Sequence, residues 1–216
     1  MTFDAIIIGA GLNGLATALA LGGPTLRRPA RLALVDFKNP QELASRSRDT
    51  RGSAVTPATK TMLATLGVWP AMAQHAHEMR HIIVTDGQTK ALERPALLSF
   101  AIPERDQAAS IVENHAMFSS MLAAVAASPH ISTFYGRRVS GYAFGPGLAQ
   151  VTLDDGAAIK AQLIIGADGR NSLTREAAGL KVSSRSYGQT GITFTIAHGQ
   201  PHGGRAEEHF TSDGVL

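Results

Sequence analysis

The chain of 216 residues is 44 % hydrophobic and 17 % charged, a balance that builds a buried core and excludes intrinsic disorder. A formal charge of +3 is too small to argue for nucleic acid and suits small anionic ligands or an anionic surface. With no cysteine there are no disulfides, no thiolate metal sites and no cysteine nucleophile, in keeping with a cytosolic protein.

Residues 4–8 form a short continuous apolar run behind Asp4, the pattern of a strand buried on both faces. The run has no basic leader, so it does not read as a signal peptide. The glycine turn Gly9-Ala10-Gly11-Leu12-Asn13-Gly14 follows at once. Residues 12–21 are rich in Ala and Leu, which favours helix, and Gly22-Gly23-Pro24 stops it. That apolar stretch is too short to cross a bilayer. Residues 31–36 read as the next buried strand, which makes a βαβ unit and implies a covered, doubly wound parallel sheet.

Residues 45–56 read as a polar, arginine-bearing loop, and residues 57–66 as a helix stopped by Gly67. A strand over 81–85 is expected to turn at Asp86-Gly87. A short strand over 110–113 leads to Asn114, which suits the cap of a helix over 115–127. Residues 144–150 and 151–160 are expected to pair around the hairpin turn Asp154-Asp155-Gly156. Residues 161–166 form another buried strand, and the alternation over 192–197 predicts a half-exposed one.

The first glycine turn has a strand before it, a helix after it, and Asp36 ending the next strand 22 residues beyond Gly14. Gly9 makes the tight turn, Gly11 lets a pyrophosphate approach the backbone, and Gly14 allows close helix–strand packing. The helix N-terminus offers unpaired N–H groups to phosphate, and Asp36 can accept hydrogen bonds from a ribose. This pattern does not separate one dinucleotide from another. A second junction, Gly166-Ala167-Asp168-Gly169-Arg170-Asn171-Ser172, repeats the strand-to-turn design with an aspartate. That side chain can touch ligand hydroxyls or cap the following helix.

The two glycine motifs together resemble the single-component, FAD-dependent aromatic hydroxylases, the class A flavoprotein monooxygenases. Asp49-Thr50-Arg51-Gly52-Ser53-Ala54 and Ile111-Val112-Glu113-Asn114 are most similar to the branch that hydroxylates the ring of ubiquinone precursors. The resemblance implies an α/β fold: a Rossmann-type, glutathione-reductase-like FAD-binding domain with a mostly β substrate-domain insertion. The boundaries expected are 1–73 and 103–180 for the discontinuous FAD domain, and 74–102 and 181–216 for a partial substrate sheet. Gly9, Gly11 and Gly14 would hold the FAD pyrophosphate and Asp36 the adenosine ribose. Arg51 would lie near the phosphates, Glu113 near the ribityl chain, and Asp168 and Gly169 would serve both FAD and NAD(P)H.

The implied reaction takes electrons from NAD(P)H, uses O₂, and hydroxylates a small aromatic or prenylated ring. The cofactor carries that chemistry, so no catalytic acid or base is singled out. Nothing points to nucleic acid. The expected location is cytoplasmic, with peripheral association at a membrane or with other enzymes left open, and no oligomeric state is implied. The family's third signature, a Gly-Asp pair followed by Ala-Ala-His and a proline, has no match here. The expectation is therefore a C-terminally truncated member, inactive alone.

Two rival readings stand. One is a non-catalytic dinucleotide-binding fragment. The other is a zinc hydrolase built on His77-Glu78-Met79-Arg80-His81, which needs both histidines one turn apart on a helix. Because His81 runs into the apolar residues 82–84, it is expected to open a strand, so no metal ligand is assigned.

Overall fold

The structure, a computed structural model, describes residues 2–45, 49–87 and 95–215. In chain order, β1 (Thr2–Ile8), α1 (Leu12–Gly22) and β2 (Leu32–Asp36) form the expected βαβ unit. Next come α2 (Pro40–Leu43), β3 (Gly52–Val55), α3 (Pro57–Thr65), α4 (Trp69–Ala73), β4 (Ala76–Glu78), β5 (His81–Gly87) and β6 (Ala96–Ala101). Then β7 (Ser110–Glu113), α5 (Asn114–Ala127), β8 (Ile131–Tyr135), β9 (Val139–Gly145), β10 (Leu148–Leu153), β11 (Ala158–Gly166) and α6 (Leu173–Ala177) follow, and β12 (Arg205–Thr211) and β13 (Gly214–Val215) close the chain.

The principal sheet has the order β8-β2-β1-β11-β10-β9. Its first four strands are parallel; β10 and β9 are added antiparallel. Continuous apolar runs suit the centre of such a sheet because both faces are covered. Ala5 and Ile7 face the helical side with Leu15 and Leu19 of α1 and Met117, Met121 and Val125 of α5. Phe3, Ile6 and Ile8 face the opposite side, where Val151, Leu153 and Ile159 from the antiparallel strands cover them. The carboxyl ends of β1, β2 and β11 are thereby brought to one edge, the place where open α/β sheets bind ligands.

A three-stranded sheet, β3-β7-β4, and a four-stranded sheet, β13-β12-β5-β6, complete the described structure. β4 lies within the segment expected to belong to the substrate sheet, yet it pairs with β7.

Several local expectations are corrected. The loop read over 45–56 ends in a strand, β3, held by antiparallel pairing to β7; residues 46–48 lie outside the described residues. Asn114 is the first residue of α5 and not its cap: Glu113 holds the N-cap position without a side-chain cap bond, and the Asn114 amide is engaged with Ser53 and Asp49. β5 continues through Asp86 and Gly87, since its partner β12 runs parallel as far as Thr211. Residues 192–197 form no strand; alternation alone cannot satisfy a ladder, and no described strand pairs with them. His81 opens β5 as expected, and His77 and Glu78 lie on β4, so the helical geometry required by the zinc motif does not exist. Among the described residues no group of three or more candidate metal ligands converges.

Candidate functional site

The glycine turn is shaped by contacts that only glycine tolerates. Gly9 has φ +101°, and a Cβ there would lie 2.3 Å from the Ala167 carbonyl oxygen. The second junction therefore presses directly on the first. Gly14 is buried beneath the turn, where a Cβ would come within 1.8 Å of the Gly9 carbonyl oxygen. Gly11 differs: a Cβ on it would meet nothing within 4 Å. Gly11 is the N-cap of α1, and no side chain caps that helix. Its open surface and the uncapped helix end leave a cradle with unpaired N–H groups, which suits an anion.

Gly9, Gly11, Asp36, Asp168 and Gly169 line one cavity of about 620 Å³. The two glycine junctions, far apart in sequence, thus share a single site through the pairing of β1 with β11. Asp36 is 8 % exposed. One carboxylate oxygen accepts from the Ala10 N–H at 2.6 Å and the other from the Lys38 N–H at 2.8 Å. Each retains a further lone pair for a ligand hydroxyl.

Asp168 is the cap of the following turn. Its Oδ1 accepts from the Ser172 hydroxyl and its Oδ2 from the Thr174 N–H and hydroxyl, both at 3.0 Å. Burial pushes this carboxyl up, but those hydrogen bonds outweigh burial and hold it below its ordinary value. Ser172 caps α6 in turn through the Arg175 N–H. The side chain of Asp168 shapes the turn, and Gly169, at φ +82°, brings backbone to the cavity.

The remaining candidates fall elsewhere. Gly14 supports the turn from below and does not line the cavity. Arg51 and Glu113 lie together where β3 meets β7, outside the lining. Arg51 forms an ion pair with Asp49, and Glu113 Oε2 lies 3.0 Å from His115 Nδ1.

The sequence reading missed the cavity's cationic and aromatic wall. The Arg138 guanidinium lies 4.6 Å from the centre of the Phe37 ring, and the Lys38 ammonium 5.5 Å from it. Arg137 also lines the cavity and pairs with Asp155 at 3.2 Å. Tyr142 bonds Thr174 at 2.8 Å, and burial raises its phenol. Phe37 and Lys38 carried one usable signal, their place immediately after the acidic end of β2. Leu43 and Phe118 close the helical side.

An acid-ended second strand, an open Gly11 and two facing junctions define a dinucleotide-binding α/β domain. The chain belongs to the FAD binding domain family of the class A flavin monooxygenases, matching it over residues 2–209. It is 31 % identical over 212 residues to "Ubiquinone hydroxylase UbiL" of Rhodospirillum rubrum, a match covering 98 % of this chain and 47 % of that protein. It is 28 % identical over 214 residues to "3-demethoxyubiquinol 3-hydroxylase" of Escherichia coli, covering 96 % and 52 %. PqsL of Pseudomonas aeruginosa, a probable FAD-dependent monooxygenase of known structure, shares the fold with a TM-score of 0.70 at 18 % identity, covering 87 % of this chain and 48 % of that one. The chain spans about half the length of these relatives.

Proposed function

We propose that this chain holds FAD, with the adenosine end in the cavity between Asp36 and the Asp168 junction. We propose further that the protein it represents hydroxylates the aromatic ring of a ubiquinone precursor with NAD(P)H and O₂. The observation that carries the first part is the cradle at Gly11, open where Gly9 and Gly14 are closed. Gly9 and Gly11 would meet the pyrophosphate, Asp36 the ribose, and the Phe37–Arg138 wall offers flat surface to the adenine. Arg51 and Glu113 would meet the phosphates and ribityl chain beyond the cavity. The ring-hydroxylating part draws support from the names of the two relatives.

When bound, FAD carries electrons from NAD(P)H to O₂ and delivers one oxygen atom to the ring. The chain's part is to bind, orient and exclude water. Its division follows the sheets: the six-stranded sheet and its helices form the FAD domain, and β5, β6, β12 and β13 belong to the substrate side. Coupled hydroxylation needs a closed, water-poor pocket. Every residue of β6 and all of 181–200 are exposed. No helix among the described residues is long and apolar enough to cross a membrane.

The test is titration of the chain with FAD followed by flavin fluorescence and visible absorbance, then assay of NAD(P)H oxidation, peroxide and hydroxylated product. Saturable FAD binding lost in Asp36→Ala supports the reading. A colourless chain with no affinity for FAD overturns the reading.

A further inference from the structure

Arg51 is held in a way that an ordinary surface arginine is not. Asp49 Oδ1 accepts from Arg51 Nε at 2.8 Å and from the Arg51 backbone N–H at 3.1 Å. Asp49 Oδ2 accepts from Arg51 Nη2 at 2.7 Å. The carboxylate thus grips one edge of the guanidinium through two parallel bonds. The same Oδ2 accepts from the Asn114 side-chain amide at 2.9 Å, and Asn114 Oδ1 accepts from the Ser53 hydroxyl at 2.6 Å. Asn114 is only 5 % exposed, so its amide is desolvated and both ends must be paired. The backbone is fixed as well, since the Asn114 N–H donates to the Arg51 carbonyl at 3.0 Å.

The relay Ser53–Asn114–Asp49–Arg51 therefore runs from the buried start of α5 to a guanidinium whose side chain is 61 % exposed. Two of the five guanidinium N–H bonds are used by Asp49, and the other three have no partner among the described residues. An exposed Arg–Asp pair adds little to stability and needs no buried amide behind it. Phe118, which lines the cavity, lies one turn of α5 beyond Asn114 on the same face. Asn114, the buried anchor of the relay, thus lies about one helical turn from a residue of the cavity wall.

We propose that Asp49 is a positioning residue: it clamps Arg51 so that the open edge of the guanidinium is preorganised for the anionic part of the cofactor. This rests on the reading above that Arg51 meets FAD. Two effects of Asp49 oppose each other. Its charge weakens the attraction of Arg51 for phosphate, while its fork removes the disorder that binding would otherwise have to quench. The proposal requires orientation to win, which fixes the sign of the experiment.

FAD is titrated into the chain, Arg51→Ala, Asp49→Asn and the double variant. Arg51→Ala is expected to weaken binding about 10- to 150-fold. Asp49→Asn is expected to weaken it about 2- to 12-fold, the cost of ordering one long side chain. The double variant should match Arg51→Ala alone, because a clamp has no effect without the group it clamps. In the ligand-free chain, the Arg51 Nε–H resonance should exchange slowly with water and become fast in Asp49→Asn, a readout that general loosening of the fold does not single out. Should Asp49→Asn fail to fold, Ser53→Ala cuts the relay at its far end without a change of charge and should speed the same exchange. Asp49→Asn binding FAD as tightly as the parent, or more tightly, overturns the clamp alone, as does an additive double variant. Unchanged binding by Arg51→Ala overturns the cofactor-facing role of Arg51 and the clamp with it. Absence of FAD binding by the parent chain overturns the function on which both rest.

Discussion

The backbone N–H of Ala10 donates to the carboxylate of Asp36 at 2.6 Å, across 26 residues of sequence. The acid at the end of β2 therefore does two things: it presents oxygens to the cavity and it ties down the turn that would hold the phosphates. Asp36→Ala is expected to lower FAD affinity about 10- to 150-fold, the worth of hydrogen bonds to a charged group. It should also cost about 1–3 kcal/mol of stability, because the Ala10 N–H is left without its acceptor. Fluorescence titration and urea unfolding measure the two effects separately. A variant that loses affinity but keeps full stability would show that the bond to Ala10 is idle.

Gly11 and Gly14 are expected to respond in opposite ways. Gly11 has φ −63° and ψ 173°, a conformation open to any residue, and a Cβ there touches nothing. Gly11→Ala should leave stability unchanged or raise it by about 0.4–1 kcal/mol through the unfolded chain. It should still weaken FAD binding by about tenfold or more, since the new methyl occupies the cradle. Gly14→Ala drives its Cβ into the Gly9 carbonyl and should cost about 1–3 kcal/mol of stability. Thermal unfolding of both variants beside FAD titration checks the contrast; equal destabilisation would refute it.

The sequence made β1, the glycine turn, α1 and β2 legible because continuous apolar runs, three glycines and an acid all agree locally. The second junction was legible for the same reason. What Asp168 does was not, since both capping and ligand contact fit its neighbours; the bonds from Ser172 and Thr174 show that it caps the turn. β3 was hidden because its four residues are polar or small and owe their extension to β7, far along the chain. The Phe37–Arg138 wall was hidden because sheet order, not sequence, places the end of β8 beside β2. The alternation at 192–197 misled because period two shows only which face a strand would bury, not that a partner exists.

Tyr135 is a cost the fold carries. Its hydroxyl is buried and has no hydrogen-bond partner among the described residues. Burial, with a smaller push from the charge of Asp36, raises its phenol from 10 to about 12. A raised phenol means that the unfolded chain loses its proton first as pH rises, so this residue's contribution to stability is intact below pH 10 and lost as pH rises through about 12. Tyr135→Phe should therefore gain about 1 kcal/mol at neutral pH by removing an unpaired hydroxyl, and more in alkali. Urea unfolding at pH 7 and pH 11 tests this, and a loss of stability at both would refute it.

Asp168 carries the opposite pH dependence. Its hydrogen bonds to Ser172 and Thr174 hold the carboxyl below its ordinary value of 3.8. The folded state therefore favours the charged form, and the stability it contributes is present above pH 3.8 and lost as pH falls through the lower folded value. Asp168→Ala should cost about 1–3 kcal/mol at neutral pH, because the Thr174 N–H and two hydroxyls lose an acceptor. Its acid unfolding limb should be shallower than the parent's. Asp168→Asn keeps one acceptor oxygen and should fall between the two. Cofactor binding distinguishes capping from direct contact with the ligand. If the carboxylate serves the turn, loss of FAD affinity across the three proteins follows their loss of stability, and Asn restores part of both. Full stability with a tenfold loss of affinity in Asp168→Asn would mean that the carboxylate reaches the ligand itself, and that the bonds to Ser172 and Thr174 give way when FAD enters.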